Sequence, residues 1–280
     1  MLELFNLDTF NPVSAAIVFI YGALIGSFLN VVIYRLPNER SVVSPCSACG
    51  TCGTPLSWWE NIPILSYFLL RGKCHTCGST FSWRYAGIET LSALMAVALL
   101  QLCGGVSWQY IYWFVFFAYL CVVFFMDFDN WIILDSVSLG GTAVGIIGSL
   151  LLPARPDFAY FPEVWMNNLA SSAAGALAGA ALFWSIQFIG SLLMRQEALG
   201  SGDIKLAALI GAFLGWQAGL LALMLSFILG AFTVPVIMLV QRKGARVPVP
   251  LGTFMACASM LVVFYGERIL HMLIYWPLYY

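Results

Sequence analysis

Eight stretches of mostly apolar residues run through this chain and limit what it can fold into. A membrane-crossing helix needs roughly 20 predominantly apolar residues. Charged residues make up 9% of the chain, against about 25% in a soluble domain. The sequence therefore predicts an all-α polytopic membrane protein with about eight transmembrane helices, at about 13–34, 87–104, 108–126, 131–152, 168–193, 205–220, 221–241 and 252–276.

Glycines mark where these helices could pack or separate. Gly-x-x-x-Gly spacings, which let helices approach closely, occur at Gly22/Gly26, Gly175/Gly179 and Gly211/Gly215. The segment 205–241 is almost continuously apolar, and its length alone requires two helices. We place the division near Gly219. Residues 1–12 lack the basic region of a cleavable signal peptide, so the first stretch is predicted to be a retained helix.

The basic residues predict the orientation, because cytoplasmic loops are enriched in Lys and Arg. The segment 35–86 and the loops near 194–205 and 242–250 are predicted to be cytoplasmic, which places both termini on the other side. Ten of the twelve basic residues then lie inside: Arg35, Arg40, Arg71, Lys73, Arg84, Arg195, Lys205, Arg242, Lys243 and Arg246. Arg155 and Arg268 lie outside. Net charge is close to zero, and no nucleic-acid-binding footprint is visible.

The segment 35–86 carries two Cys-x-x-Cys pairs, Cys49/Cys52 and Cys74/Cys77, whose equivalent members are 25 residues apart. Four thiolates at such a spacing can enclose one Zn²⁺ tetrahedrally. A soluble segment of about 50 residues usually needs a metal or a disulfide for stability. A reducing cytosol favours the metal. A redox dithiol pair or an iron site are the alternatives. Cys46 forms a competing Cys-x-x-Cys with Cys49, and His75 could replace one sulfur.

Carboxylates gather at predicted helix ends. Asp127 and Asp129 end the third apolar stretch, Asp135 follows, and Asp203 precedes the sixth. Ionisable residues at such positions indicate function by default. Two carboxylates brought close together share a proton, so that one can act as a base toward water and the other as an acid. This is aspartic-protease chemistry. The alternative is that Asp127 and Asp129 merely cap a helix at the membrane surface.

The chain resembles the bacterial type IV prepilin leader peptidases and N-methyltransferases, which are membrane aspartic proteases of the GxGD type. The resemblance rests on the cysteine pairs and on four further segments: GSFLNVVIYRLP at 26–37, ENIPILSY at 60–67, LRGKC at 70–74 and EALGSGDIKL at 197–206. It implies that Asp127 and Asp203 are catalytic. Leu134 stands where the family usually has Pro, which keeps Asp129 as the runner-up. It also implies Cys49, Cys52, Cys74 and Cys77 as the metal ligands.

The resemblance further implies two activities. The enzyme would cut the leader from prepilins or pseudopilins after a Gly, on the cytoplasmic side of the bacterial inner membrane. It would then methylate the new N-terminal residue, usually Phe, with S-adenosylmethionine. No Gly-rich nucleotide fingerprint of the usual kind is present, so residues for the methyl donor cannot be placed. The segment 35–86 is the candidate region, and Glu60, Arg71 and Lys73 could contact substrate there.

The expected organisation is a first helix within 1–34, a zinc domain at 35–86 and a seven-helix protease domain at 87–280. Prepilin or pseudopilin substrates and the lipid bilayer are the expected partners. Two other classes of function are compatible with the residues alone. A transporter could relay protons through Asp127, Asp129 and Asp203, although transporters place such acids nearer mid-membrane. A non-catalytic assembly scaffold could use the zinc loop for docking.

Overall fold

The computed structural model describes residues 11–153, 164–194, 199–241 and 250–275. These residues form nine α-helices joined by short connections: α1 (Pro12–Arg35), α2 (Leu65–Leu69), α3 (Arg84–Cys103), α4 (Trp108–Asn130), α5 (Asp135–Ser149), α6 (Val164–Met194), α7 (Ser201–Leu214), α8 (Trp216–Gln241) and α9 (Leu251–Tyr275). Within the same ranges, extended pairing is limited to two isolated bridges, Ala48 with Pro55 and Lys73 with Thr80. The prediction of an all-helical protein is therefore confirmed for the described part of the chain.

Each of the eight predicted stretches corresponds mainly to one long helix, and the stretch 205–220 also includes the start of α8. Not all of these helices have the length expected for a crossing. Of the described helices, six are long and apolar enough to span a membrane. The other two long ones, α5 with 15 residues and α7 with 14, fall short of the roughly 20 that a crossing needs. The division of 205–241 falls at Gly215 and not near Gly219, because Gly215 takes a φ of 82° that ends α7.

The chain divides into two compact units, Met1–Phe114 and Val115–Tyr280. In the first unit, called unit 1, α1 packs along α3. A Cβ added to Gly22 would lie 2.8 Å from the Cα of Ala93, and one added to Gly26 would lie 2.7 Å from the Cα of Glu89. The glycine spacing therefore lets the two helices approach closely, as such spacings do elsewhere.

In the second unit, called unit 2, the other long helices that the structure describes surround α7. Helix α7 packs against α5, α6, α8 and α9. Its residues Leu206, Ala207, Leu209 and Ile210 are completely buried. At the crossing with α6, a Cβ on Gly175 would collide with the carbonyl oxygen of Gly211, and one on Gly211 with that of Gly175. Backbone thus packs directly on backbone at this crossing, which fixes α7 and the carboxylate in its first turn.

An aromatic contact joins α4 to α7 within unit 2. The rings of Phe116 and Phe213 are stacked, with centroids 4.6 Å apart and planes inclined by 18°. Both side chains are completely buried, and stacked pairs of this kind contribute about 0.5–1.5 kcal/mol beyond their burial. The contact holds together the two helices that carry Asp127 and Asp203.

Candidate active site and candidate metal centre

Two of the predicted catalytic residues come together in unit 2. Asp127 lies in the last turn of α4 and is 6% exposed. Asp203 lies in the first turn of α7 and is partly buried. Burial and the nearby charge of Asp127 raise the pKa of Asp203 to about 6. The two carboxyl groups are therefore close enough to affect each other's ionisation, and one of them can keep a proton while the other is charged.

The start of α9 contributes a third element to this site. The backbone amide of Thr253 donates a hydrogen bond of 3.2 Å to Oδ2 of Asp127. A Cβ added to Gly252 would lie 2.8 Å from the same oxygen, so a larger residue would displace the carboxylate from this position. A helix N-terminus carries a partial positive charge that favours an anion. This end of α9 therefore stabilises the ionised form of Asp127.

Sequence reasoning missed Gly252 and Thr253. The available signal was Pro250 directly before an apolar stretch, which is typical of a helix beginning. Such a signal locates the helix but does not identify what its first amides bind. The partner, Asp127, lies 126 residues earlier in the chain.

A connection between helices fills the space beside both carboxylates. Ile133 lies between α4 and α5. A Cβ on Gly202 would lie 2.9 Å from the Cβ of Ile133, and one on Gly252 would lie 3.1 Å from its Cδ1. Trp131, two residues before, has a φ of 58°, which turns the chain sharply after α4. The glycine before Asp203 thus allows the α4–α5 connection to pack against the start of α7.

The remaining acids have different surroundings. Asp129 is exposed on the last turn of α4. Asp135 is the first residue of α5, and its Oδ1 lies 2.5 Å from Nζ of Lys205 on α7. The two side chains are 62% and 31% exposed. Because exposed ion pairs contribute only about 0–1 kcal/mol, this pair mainly orients the starts of α5 and α7 relative to each other.

The four predicted cysteines form a cluster in unit 1. The sulfurs of Cys49, Cys52, Cys74 and Cys77 all lie within 4.8 Å of one another. The two cysteine pairs sit on turns with the same hydrogen bonds. In the first turn, Cys49 N–H donates to Thr54 O and Gly53 N–H donates to Cys49 O. In the second turn, Cys74 N–H donates to Ser79 O and Gly78 N–H donates to Cys74 O.

The geometry of this cluster fits a tetrahedral metal. Sγ of Cys49 and Sγ of Cys77 are 3.8 Å apart, close to the edge of a zinc–thiolate tetrahedron with bonds of about 2.3 Å. The Ser79 hydroxyl, 3.5 Å from the sulfur of Cys49, and nearby backbone amides lower the pKa of Cys49 to about 5. This favours the thiolate, which is the form that binds metal.

The competing candidates lie apart from this cluster. Cys46 is exposed and is not among the four clustered sulfurs. The ring of His75 packs edge-on against Trp59, with centroids 5.7 Å apart.

The Glu60 carboxylate accepts the amide of Ser57 at 2.8 Å and so caps a short 3-10 turn. Arg71 and Lys73 are exposed.

Comparison with known proteins covers both units. The model of the Bacterial Peptidase A24 N-terminal domain matches residues 20–103, and that of the Type IV leader peptidase family matches residues 114–234. No solved structure matches the chain.

Several curated proteins called "Prepilin leader peptidase/N-methyltransferase" are similar over most of their length. The protein from Myxococcus xanthus is 37% identical over 239 residues, which is 85% of this chain and 67% of that protein. The protein from Aeromonas hydrophila is 32% identical over 283 residues, 91% of each chain. The protein from Pseudomonas aeruginosa is 30% identical over 285 residues, 89% of each chain.

Proposed function

The chain belongs to the type IV leader peptidase family, and we propose that Asp127 and Asp203 are the catalytic pair with which it cleaves its substrates. It is a prepilin leader peptidase and N-methyltransferase. The observation that carries the assignment of the pair is the hydrogen bond from the first turn of α9 to the buried carboxylate of Asp127 in the last turn of α4. Asp203, in the first turn of α7, is near enough for the charge of Asp127 to act on it.

The surroundings assign a role to each carboxyl group. Asp127 accepts the Thr253 amide at the start of α9 and is the ionised member. Asp203, whose pKa is about 6, is the protonated member. Asp127 removes a proton from water while the water oxygen bonds to the scissile carbonyl carbon, and Asp203 protonates the carbonyl oxygen. The carbon–nitrogen bond then breaks, and the leaving amine takes up a proton from the pair.

The exposed Asp129 is the runner-up for the base. Asp127, by contrast, is buried and accepts an amide from the start of α9. For this reason we keep Asp127 as the base.

The finer description of the reaction follows the family resemblance. The substrates are prepilins or pseudopilins of pili or of type II secretion, cut after a Gly. The new N-terminal residue, usually Phe, receives a methyl group from S-adenosylmethionine. Cleavage takes place on the cytoplasmic side of the bacterial inner membrane, where 35–86 is placed by its Lys and Arg content. Both termini then lie on the opposite side.

Part of this orientation rests on basic residues outside the described ranges: Arg155, Arg195, Arg242, Lys243 and Arg246. The described ones, such as Arg35, Arg40 and Arg84, are concentrated before α4. We propose eight crossings, among them the stretch 131–152, which contains α5, and the stretch 205–220, which begins after Asp203 and includes most of α7. A short helix is tolerated at membrane depth where protein surrounds it, and α7 has a completely buried middle.

We further propose that Cys49, Cys52, Cys74 and Cys77 hold one Zn²⁺ with a structural role. The matched turns and the sulfur separations support this set of ligands. A closed set of four thiolates leaves no open position for substrate, which is typical of a structural site.

The experiment that tests the function uses the full-length protein in detergent with a purified prepilin. Intact mass is measured with and without S-adenosylmethionine. We expect loss of the leader in both samples and the added mass of one methyl group only with the donor. Asp203→Asn serves as the control that should leave the prepilin intact. Cleavage that persists undiminished in this variant would refute the proposed pair.

A further inference from the structure

Unit 1 contains a cavity of about 380 Å³ that the peptidase reaction does not use. It is an open cleft bordered by α1, α3, the segment 56–70 and the two cysteine turns. All of its lining residues lie between Ser27 and Glu89, so neither catalytic aspartate contributes to it. Small-molecule sites usually have volumes of about 300–1,000 Å³. The cavity therefore has room for one small ligand.

A fixed carboxylate forms part of the wall. Glu89 on α3 is 9% exposed, and its Oε2 accepts the amide of Ile64 at 2.7 Å. Ile64 has φ 64° and ψ −56°, and Leu65 N–H donates to Pro63 O at 2.6 Å across it. This is a three-residue turn in a conformation that is rare and strained for a β-branched residue. Strained backbone of this kind is characteristic of ligand sites, and here it is held by the same carboxylate that faces the cavity.

The rest of the lining offers aromatic rings and little free positive charge. Tyr34, Tyr67 and Tyr85 line the same cavity as Glu89. The one guanidinium of the lining, Arg35, donates to the carbonyl oxygens of Ser41 at 3.0 Å and Cys46 at 3.4 Å. The guanidinium of Arg35 is thus hydrogen-bonded to the backbone of the segment that follows α1. A cavity that offers both a buried carboxylate and aromatic rings suits a cation that also carries a planar group.

We propose that this cavity binds the methyl donor, S-adenosylmethionine, with Glu89 facing its positive charges and the tyrosine rings contacting the adenosyl group. The inference rests on the methyltransferase activity given under the proposed function. In the transfer, the substrate amine nitrogen bonds to the methyl carbon. The carbon–sulfur bond breaks with its electron pair left on sulfur, and the nitrogen loses one proton. The site is separate from the residues that cleave the leader, which agrees with two reactions of different chemistry.

Two substitutions on α2 provide a matched test. Ser66 lines the cavity, whereas its neighbour Leu65 is 59% exposed and does not. Ser66→Phe should fill the cavity, and Leu65→Phe should add similar bulk outside it. Binding of S-adenosylhomocysteine, the unreactive product, is measured by calorimetry on the full-length protein. We expect at least tenfold weaker binding for Ser66→Phe and wild-type binding for Leu65→Phe, with metal content and melting temperature as folding controls.

Glu89→Gln tests the charge separately from the fold, since the amide oxygen can still accept from Ile64. This variant should weaken S-adenosylmethionine, which carries a sulfonium, more than S-adenosylhomocysteine, which does not. Glu39→Gln, an exposed acid of the same unit outside the cavity, should affect neither ligand. Equal weakening of both ligands by Glu89→Gln would contradict the proposed charge recognition.

Methyl transfer to a pre-cleaved pilin peptide beginning with Phe distinguishes a wrong donor site from a wrong methyltransferase function. Suppose that the wild-type protein methylates the peptide and that the Ser66→Phe and Glu89→Gln proteins bind the donor and methylate equally well. The donor would then bind elsewhere, and the methyltransferase function would stand. A folded wild-type protein that neither binds the donor nor methylates would overturn the methyltransferase function and this site with it.

Discussion

The amide of Thr253 donates to Oδ2 of Asp127 across 3.2 Å, so the first turn of α9 holds a carboxylate from the last turn of α4. Two helices that are far apart in sequence thereby fix one member of the proposed catalytic pair. The other member, Asp203, belongs to α7, which packs against α9 in the same unit. The reactive geometry thus depends on helix ends meeting, and several consequences can be measured.

The proposed pair predicts a clear difference among three aspartates. Asp127→Asn and Asp203→Asn should each lower the rate of prepilin cleavage by about 10²- to 10⁴-fold, because each removes a group that transfers a proton. Asp129→Asn should retain measurable cleavage, since Asp129 is exposed. The assay is leader release followed by mass spectrometry, with melting temperature as a check on folding. Full activity of Asp127→Asn together with an inactive Asp129→Asn would move the base to Asp129.

The glycine at the start of α9 is expected to be sensitive to one added carbon. In Gly252→Ala, the new Cβ would lie 2.8 Å from Oδ2 of Asp127 and displace it. Displacements near 1 Å can cost on the order of 10²-fold in rate, so cleavage should fall while the protein stays folded. Gly140→Ala is the matched control, because a Cβ there meets nothing within 4 Å. It should preserve cleavage and stabilise α5 by about 0.5–1 kcal/mol.

The rate of cleavage should decline as the pH rises through about 6. Burial and the charge of Asp127 raise the pKa of Asp203 to about 6 from its ordinary value of 3.8. Below that pH the carboxyl group holds the proton that the mechanism donates, and above it both members of the pair become charged. Single-turnover cleavage measured across this range gives the profile, and Asp129→Asn should not shift it. A rate that increases steadily from pH 6 to alkaline values would assign Asp203 the opposite role.

Replacement of single cysteines should distinguish the four proposed metal ligands from Cys46. Loss of Cys49, Cys52, Cys74 or Cys77 to serine should abolish binding of about one zinc equivalent and unfold the cysteine turns, because metal binding and folding are coupled. Cys46→Ser should keep the metal, since that side chain lies outside the cluster. Elemental analysis of the purified proteins gives the answer. Metal lost from Cys46→Ser but kept by Cys52→Ser would show that the ligand set is wrong.

The two activities should be separable by substitution of the aspartate pair. Asp127→Asn/Asp203→Asn protein is expected to methylate a pre-cleaved peptide beginning with Phe, because alignment of an amine with the methyl donor does not need these carboxylates. Transfer of labelled methyl from S-adenosylmethionine measures it. If the double variant folds and binds the peptide yet transfers nothing, the two reactions share one site.

Much of the helical framework could be predicted from the sequence. The ends of α1 and α9 lie within one residue of the predicted stretches, because apolar length reports helices in a membrane protein directly. The family resemblance was likewise confirmed by the comparisons. The cysteine cluster could be predicted because the two members of each pair are close in sequence. The spacing between the pairs also indicates that their sulfurs meet at one site.

Other features depend on contacts that local patterns do not contain. The break at Gly215 was misplaced because apolar residues continue through it, and only the backbone angle of that glycine distinguishes it from Gly219. Helices α5 and α7 were predicted longer than they are, because hydropathy does not register the turns at their ends. The approach of Thr253 to Asp127 joins segments 126 residues apart, beyond the reach of any periodicity.

The direct backbone contact between Gly175 and Gly211 makes the proposed catalytic pair sensitive to substitutions far from either carboxylate. Gly211 follows Asp203 by eight residues on α7, which is about 12 Å along the helix axis at 1.5 Å per residue. Any side chain at either glycine would push α7 off α6, and a rigid helix would carry that shift to its first turn. Random mutagenesis that selects inactive enzyme should therefore return these two chemically inert positions alongside the carboxylates themselves.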